Sequence, residues 1–128
     1  MADKKIMIDT SVLIDYFRKT DKNKTTLVEL SLEFDHIFIS SITEFEIFNG
    51  ATPNQIQFWN EMISGITVLD FDSKTARTAA MVVNNLKKKR KSIDKPDLFI
   101  ASTALVNKLP LATLNKKDFE IIDSLNLI

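Results

Sequence analysis

IMIDTSVLID, the stretch at residues 6–15, decides the fold of this chain. Its first three residues are an apolar run typical of a buried strand, and a helical pattern follows from about Ser11. Asp9 stands at the junction, where its carboxylate could cap the helix. In open α/β sheets, ligands bind beyond the carboxyl ends of the strands, so the same carboxylate is also placed for a binding site.

The rest of the chain continues this alternation of short apolar runs and longer helical patterns. Strands are predicted at residues 4–8, 36–40, 66–71, 111–114 and 125–128. Helices are predicted at residues 11–18, 25–34, 42–48 (ended by Gly50), 54–63, from 73 to the lysine run that starts at 87, and 97–106. Connections of this length imply a mainly parallel sheet, so we predict a single α/β domain over residues 1–128.

Composition limits the chemistry. The chain has no cysteine, which excludes disulfides, thiolate zinc sites and a cysteine nucleophile. No apolar stretch is long enough for a signal peptide or a membrane span, so we expect a cytoplasmic protein. The 17 basic and 17 acidic residues cancel, and any attraction to nucleic acid must therefore be local. The cationic run KKKRK, at residues 87–91, could contact phosphates or could be a solvated helix C-terminus.

Acidic residues recur where the predicted elements meet. Asp9, Asp97 and Asp118 each have a structural explanation, as a helix cap, a first-turn acid or part of a capping box. Glu46 has none of these, because it lies inside a predicted helix between apolar neighbours. Glu44 competes with it, but two residues two positions apart on a helix point about 200° away from each other, so only one can face a given cleft.

Bringing these carboxylates together would be unfavourable without a counter-charge. Two carboxylates about 4 Å apart repel each other by about 1–4 kcal/mol, which is a large fraction of the stability of a small domain. A divalent cation would remove the repulsion, and ligands that are all oxygen suit Mg²⁺ or Mn²⁺ better than zinc. A cluster of the four acids therefore predicts a metal site.

Four segments resemble, in order and over nearly the whole chain, the motifs of PIN-domain ribonucleases, particularly the VapC-like toxins of bacterial toxin–antitoxin pairs. They are IDTSVLIDYF at 8–17, SSITEFEIFNGA at 40–51, KPDLFIASTAL at 95–105 and LATLNKKDF at 111–119. The resemblance implies a three-layer α/β/α fold around a central, mainly parallel sheet. It also implies a Mg²⁺-dependent endoribonuclease, with Mn²⁺ as the alternative metal.

The resemblance also assigns roles to individual residues. It makes the metal ligands and catalytic acids Asp9, Glu46, Asp97 and Asp118. It assigns contacts with the substrate to Thr10, Ser11, Thr113 and Asn115. Leu114 stands where related toxins often carry an arginine, which removes one phosphate contact. The implied reaction is hydrolysis of an RNA phosphodiester by water, which leaves 5′-phosphate and 3′-hydroxyl ends.

Partners follow from the same resemblance. It implies a small VapB-like antitoxin whose C-terminal segment lies across the cleft, an RNA substrate, a homodimer and no membrane partner. Aromatic residues around the early helices could form an apolar groove for a partner helix, or could belong to the core. They are Phe17, Phe45, Phe48, Phe58 and Trp59.

Two other functions stay open at this point. A phospho-receiver domain would have a similar length and a parallel sheet, with Asp70 as the phospho-acceptor and Lys116 as its late lysine. Receivers need adjacent acids after the first strand, whereas Thr10 follows Asp9 here, and helix capping is a sufficient explanation for Asp70 and Asp72. The other alternative is an inactive PIN-fold protein that binds RNA or serves as a scaffold, and the presence of all four acids disfavours it.

Overall fold

A sheet of four parallel strands lies at the centre of the computed structural model, which describes residues 3–128. The strands are β1 (Lys5–Ile8), β2 (His36–Ser40), β3 (Thr67–Leu69) and β4 (Leu111–Ala112). Their order across the sheet is β3-β2-β1-β4, and every pairing is parallel. β1 is therefore a central strand, with β2 on one side and β4 on the other.

Helices fill the connections between the strands. They are α1 (Thr10–Arg18), α2 (Thr26–Glu33), α3 (Ser41–Gly50), α4 (Ile56–Ser64), α5 (Ser73–Lys88), α6 (Lys95–Val106) and the single-turn α7 (Lys116–Phe119). Four of them begin after a polar residue whose side chain accepts a hydrogen bond from a first-turn amide, namely Asp9, Thr25, Ser40 and Asp72. Within residues 3–128, none of the helices has the length and apolar character needed to cross a membrane.

Apolar side chains alternate between the two faces of the sheet and build a core on each. Along β1, Ile6 and Ile8 pack beneath α1–α4, whereas Met7 packs against α5 and α6. All three side chains are fully buried, as the period of two along a strand requires for a sheet covered on both faces. The result is the three-layer α/β/α fold, and the prediction of a mainly parallel sheet between helices is confirmed.

The order of the strands creates a switch point between β1 and β4. The chain moves from β1 to β2 and β3 through helices on one face, then returns to β4 through helices on the other face. Right-handed crossovers that run in opposite directions must lie on opposite faces. The loops after β1 and β4 therefore part from each other and leave a crevice, which is where ligands bind in such sheets. Asp9 follows β1 and Thr113 follows β4.

This strand order contradicts the phospho-receiver interpretation. Doubly wound receiver domains use the order 2-1-3-4-5, in which the first and third strands are neighbours. Here β2 lies between β1 and β3, so Asp70 follows an edge strand away from Asp9. Asp72 serves as the cap of α5, because its Oδ1 accepts a hydrogen bond of 2.9 Å from the Thr75 amide.

The predicted strand at residues 125–128 is wrong. In this segment only Leu127 pairs with the sheet, through one parallel bridge to Leu111. β4 has only two residues, so its edge is too short to pair with a longer strand. Thr113 and Leu114, predicted as the end of β4, leave the sheet and hydrogen-bond to the first motif instead. Gly50 is the last residue of α3 rather than a residue beyond its end, and its φ is not positive.

Candidate metal centre

Asp9 is the buried acid at the centre of the site. It ends β1, caps α1 and is only 4% exposed. Its Oδ1 accepts hydrogen bonds from Ser11 Oγ at 2.5 Å and from the Val12 amide at 3.3 Å. Its Oδ2 accepts one from Thr113 Oγ1 at 2.5 Å. Oδ1 thus has two of these partners and Oδ2 has one, so Oδ2 is the oxygen with more room for a further ligand.

Two hydroxyls tie the ends of β1 and β4 together through this carboxylate. Ser11 Oγ donates to Asp9 and accepts from the Leu114 amide at 3.0 Å. Thr113 Oγ1 also donates to Asp9 and accepts from the Asn115 amide at 3.0 Å. Both hydroxyls therefore orient the acid. The contacts with substrate that the sequence assigns to Thr10, Ser11, Thr113 and Asn115 stay predictions.

Glu46 enters the site from α3. Its Oε1 accepts a hydrogen bond of 2.7 Å from the hydroxyl of Thr10, the residue after Asp9. Thr10 Oγ1 also lies 3.1 Å from the hydroxyl of the fully buried Thr43. Because a hydroxyl carries one proton, Thr10 donates to the carboxylate and accepts from Thr43. Glu46, and not Glu44, is thus the α3 acid that is joined to the end of β1.

Asp97 and Asp118 line one polar recess. Asp97 lies in the first turn of α6 and Asp118 in α7, and the recess of about 370 Å³ between them also includes Asp94 and Lys117. The capping box that the sequence allowed for Asp118 is not formed, since the Asn115 side chain makes no capping hydrogen bond. A capping box therefore does not explain why an acid stands at position 118.

Burial and negative charge both act on these acids. The pKa of Asp97 is raised from its ordinary value to about 6. Burial is the largest cause, and the charges of neighbouring carboxylates add to it, in the order Asp118, Asp9, Asp94 and Glu46. Burial also raises the pKa of Asp9, although the hydrogen bonds to its carboxylate oppose that rise. The other acids therefore lie close enough to Asp97 for their charges to disfavour its ionised form.

The chemistry of these donors fits a hard divalent cation. All of them are carboxylates, which is the ligand type that Mg²⁺ and Mn²⁺ prefer. Within residues 3–128, no three acidic, histidine or cysteine side chains stand close enough together to enclose an ion directly. Asp97 is nevertheless close enough to the neighbouring carboxylates for their charges to raise its pKa. Mg²⁺ also needs only one or two direct carboxylates, since it keeps several of its waters.

Asp94 and Lys117 belong to the site, although neither stands out in the sequence. Asp94 holds the N-cap position of α6 but makes no side-chain capping bond, so its carboxylate is left to face the recess. Asp94 precedes Asp97 by three residues at the start of a helix, and this spacing in the sequence is the signal that could have identified Asp94 as a site residue. Lys117 places a positive charge beside Asp118.

Apolar recesses lie on both sides of Glu46. One, of about 400 Å³, is lined by Phe45 and Phe99 as well as by the Glu46 side chain. The other, of about 340 Å³, is lined by Phe17 and Trp59 and again by Glu46. The acid cluster is therefore bordered by apolar surface.

The five aromatic residues proposed for a groove divide between core and surface. Trp59 is 2% exposed and packs against Phe17 at a tilt and against Phe58 edge to face, with ring centroids 5.1 Å apart in each pair. Phe48 is half-buried in the same core. Phe45 is 65% exposed, so it is the aromatic residue of this set that is most open to a partner.

A parallel α/β/α fold with carboxylates gathered at its switch point defines a class of protein, the PIN domain. The chain matches the PIN domain family over residues 6–125 and belongs to that family. Within the family it is similar to Ribonuclease VapC1 from Methanocaldococcus jannaschii. The two sequences are 36% identical over 126 residues, which cover 98% of this chain and 86% of the relative.

Solved structures share the fold. VapBC from Salmonella typhimurium, in a DNA-bound crystal structure, matches with a TM-score of 0.87 and 25% identity, covering 98% of this chain and 97% of that one. A toxin–antitoxin complex from Klebsiella pneumoniae matches with a TM-score of 0.77 and 27% identity, covering 96% and 95%. The resemblance to PIN-domain ribonucleases that the four motifs indicate is confirmed.

Proposed function

We propose that this chain is a divalent-cation-dependent endoribonuclease, that it is the toxin of a toxin–antitoxin pair, and that it acts in the cytoplasm. The observation that carries the proposal is the convergence of carboxylates from four separate segments at the switch point of the sheet. They are Asp9, Glu46, Asp97 and Asp118. The ribonuclease named among the relatives, from M. jannaschii, supports the same activity.

These four carboxylates are the residues that would hold Mg²⁺, or Mn²⁺ in its place. When bound, the ion neutralises charge that develops on the scissile phosphate and lowers the pKa of an attacking water. Asp97, with a pKa of about 6, is mostly ionised at neutral pH and is therefore available as a ligand. Lys117, beside Asp118 in the same recess, is placed to contact a phosphate oxygen.

The hydroxyls around the acids provide orientation. Ser11 and Thr113 hold the Asp9 carboxylate, and Thr10 holds Glu46. Two of these hydroxyls are fixed in turn by backbone amides, and the third is fixed by Thr43. Asp9 and Glu46 are therefore oriented before the substrate arrives, which reduces the entropy that must be lost in reaching the transition state.

Hydrolysis by water predicts the ends of the products. The chain has a single histidine, His36, which is exposed on β2, so there is no histidine pair to deprotonate a ribose 2′-hydroxyl. Attack by water leaves a 5′-phosphate and a 3′-hydroxyl. Attack by the 2′-hydroxyl would instead leave a cyclic phosphate.

Cleavage of RNA by the purified chain tests the proposal. The wild type should cleave in Mg²⁺ and lose activity in excess EDTA. Asp9→Asn and Asp97→Asn should each lower the rate by about 100-fold or more, because even residues that only support a metal ligand are worth about 10–100-fold. Asparagine is as good an N-cap as aspartate, so Asp9→Asn should fold. Asp70→Asn, at an exposed acid beyond β3, is the matched control and should keep full activity.

Several outcomes of this experiment would contradict the proposal. Cleavage that continues in EDTA, or products that carry cyclic phosphates, would exclude the metal-dependent mechanism. RNA binding without any cleavage would favour the inactive PIN-fold alternative. In cells, sequencing of 5′-phosphorylated RNA ends shortly after induction should show new ends with the wild type and none with Asp9→Asn.

The proposed partner is an antitoxin whose C-terminal segment covers the cleft and presents a basic side chain to the carboxylates. The complex from Klebsiella pneumoniae supports such a partner. Phe45 is 65% exposed in a recess that also contains Glu46, and it offers an apolar contact. Phe45→Ala should weaken binding of the antitoxin encoded beside this chain, whereas Met81→Ala, on α5 and 66% exposed, should not. Equal affinities of the two variants for the antitoxin would exclude this surface.

A homodimer stays a prediction, which sedimentation of the chain alone would test.

A further inference from the structure

The cationic segment, residues 87–91, continues from the last turn of α5 toward the acid cluster. All five of its side chains are exposed. Lys89 forms an ion pair with Asp123, and the other four cations take part in no ion pair of residues 3–128. Of the five positive charges of the cationic segment, one is therefore paired with a carboxylate.

Two adjoining recesses connect the segment with the acids. The first, of about 250 Å³, has Lys88 and Lys89 in its wall. The second, of about 370 Å³, contains Asp97 and Asp118. Ile121 lines both recesses, so they are neighbours, and the residue that directly follows the cationic segment lies in the wall of the second. A continuous surface thus runs from the acids to Lys88 and Lys89, and Arg90 and Lys91 lie in the chain between Lys89 and the wall of the second recess.

The backbone of the segment is ordered by the end of α5. The Arg90 amide donates to the Lys87 carbonyl at 3.0 Å, and the Lys91 amide donates to the Leu86 carbonyl at 2.8 Å. These two bonds form the Schellman motif, in which Arg90 occupies the left-handed position with a φ of 56°. The cations are therefore presented by a fixed turn, which limits the entropy lost on binding.

We propose that the cationic segment binds phosphates of the RNA strand on one side of the cleaved bond, so that the strand runs from the acid cluster over Ile121 to Arg90 and Lys91. The inference rests on the proposed function, because it extends the same site. The chain has no net charge, so its overall field does not attract RNA. Local cations must then offset the repulsion between the RNA phosphates and the acids.

The helix dipole alone does not explain the segment. Cations are favoured in the last turn of a helix, and the effect falls off within that turn. Lys87 and Lys88 lie in the last turn of α5, but Arg90 and Lys91 lie beyond its C-cap. Stabilisation of the helix therefore does not explain the positive charges of Arg90 and Lys91, whereas binding of phosphate does.

Removal of these two charges tests the inference. Arg90→Gly with Lys91→Gln deletes both, and glycine suits the left-handed φ, so the variant should unfold at the same or a higher temperature. Lys108→Gly is the matched control. Lys108 holds the same Schellman position, with a φ of 55°, at the end of α6 opposite to Asp97. It thus repeats the change in backbone, and the loss of one of the two charges, away from the acids.

Binding is measured with a fluorescein-labelled single-stranded RNA of about 20 nucleotides. All proteins carry Asp9→Asn and are studied with Mg²⁺, so that the RNA stays intact. Each phosphate contact adds about 0.7 to the slope of log Kobs against log salt on a single strand, so the double variant should reduce the slope by about 1.4. At about 0.1 M salt, this corresponds to roughly 25-fold weaker binding.

The outcomes separate this inference from the proposed function. Loss of affinity and slope in the double variant, with Lys108→Gly unchanged, would support the path over Ile121. Unchanged binding in the double variant, or an equal loss in Lys108→Gly, would overturn the path but leave the nuclease proposal standing. If the wild-type chain neither binds nor cleaves RNA, the proposed function fails, and the path is overturned with it.

Discussion

Replacing Asp97 by asparagine should stabilise the fold while it removes activity. The carboxylate lies in the first turn of α6 and is half-buried. Its pKa is raised to about 6, first by burial and then by the negative charges of neighbouring acids, of which Asp118 is the strongest. Asparagine has nearly the same size and no charge, so it should relieve the repulsion and keep the packing.

The magnitude follows from that pKa. A tenfold change in an acid dissociation constant is worth about 1.4 kcal/mol, so a pKa raised from 3.8 to about 6 corresponds to at most about 3 kcal/mol of destabilisation when Asp97 is ionised. Solvent screening around this half-buried side chain lowers the value to about 1–2 kcal/mol. Loss of the favourable contact between the acid and the helix dipole subtracts about 0.5 kcal/mol. We therefore expect a net gain of about 1 kcal/mol, or about 3–5 °C in Tm.

The gain should depend on pH in one direction. Because folding raises the pKa of Asp97, the folded chain binds this proton more tightly than the unfolded chain. The resulting stability is fully present below the unfolded pKa of 3.8 and is lost as the pH rises through about 6. Thermal unfolding in EDTA should therefore show the smallest difference between wild type and Asp97→Asn near pH 4, and the largest above about pH 7.

A matched acid provides the control for this measurement. Asp70 is exposed and lies beyond the edge strand β3, so Asp70→Asn should change the unfolding free energy by less than about 0.5 kcal/mol at either pH. If Asp97→Asn were no more stable than the wild type above about pH 7, the reasoning that burial and neighbouring charges disfavour the ionised Asp97 would be refuted.

Further predictions concern the metal, the hydroxyls and the core. Mg²⁺ at about ten times its Kd should stabilise the wild type by about 1.4 kcal/mol and Asp97→Asn by less; equal thermal shifts would exclude Asp97 as a ligand. Thr113→Val removes a hydroxyl that donates to Asp9, and it should lower kcat and the unfolding free energy, the latter by about 1–3 kcal/mol. Thr113→Ser should restore most of both. Trp59→Ala should cost about 3–5 kcal/mol, since this side chain is 2% exposed. Phe45→Ala should change stability by less than about 0.5 kcal/mol, and urea unfolding would compare the two.

Local sequence patterns predict much of this molecule because several features of the site lie where elements meet. Asp9 ends an apolar run, and Asp97 opens a helix that is apolar nearly all round. Such junctions depend on residues that are neighbours in sequence, so strand ends, caps and helix starts can be predicted within a few residues. Helix geometry and motif spacing predict Glu46, and not Glu44, as the acid of the site. The hydrogen bond from Thr10 holds the Glu46 carboxylate beside the end of β1.

Contacts between distant segments could not be predicted in the same way. Thr113 and Asp9 are 104 residues apart, and no periodicity indicates which hydroxyl meets which acid. The apolar pattern also continues past the points where the backbone leaves the sheet, which explains why β4 is shorter than predicted. Leu125 is buried by packing in the core and not by strand pairing, so an apolar run at residues 125–128 suggested a strand that does not form.

Asp9 and Asp97 respond to the same crowding in different ways, and this difference decides which substitution is informative. Burial raises the pKa of Asp9, but hydrogen bonds from two hydroxyls and a backbone amide oppose that rise and join β1 to the loop after β4. The causes that act on Asp97 all raise its pKa. Asparagine at position 9 loses charge-assisted hydrogen bonds as well as repulsion, so its effects on stability partly cancel. At position 97 the cost of burying a charge and the repulsion are both relieved, and a cation that offsets this charge in the wild type should stabilise the chain chiefly through Asp97.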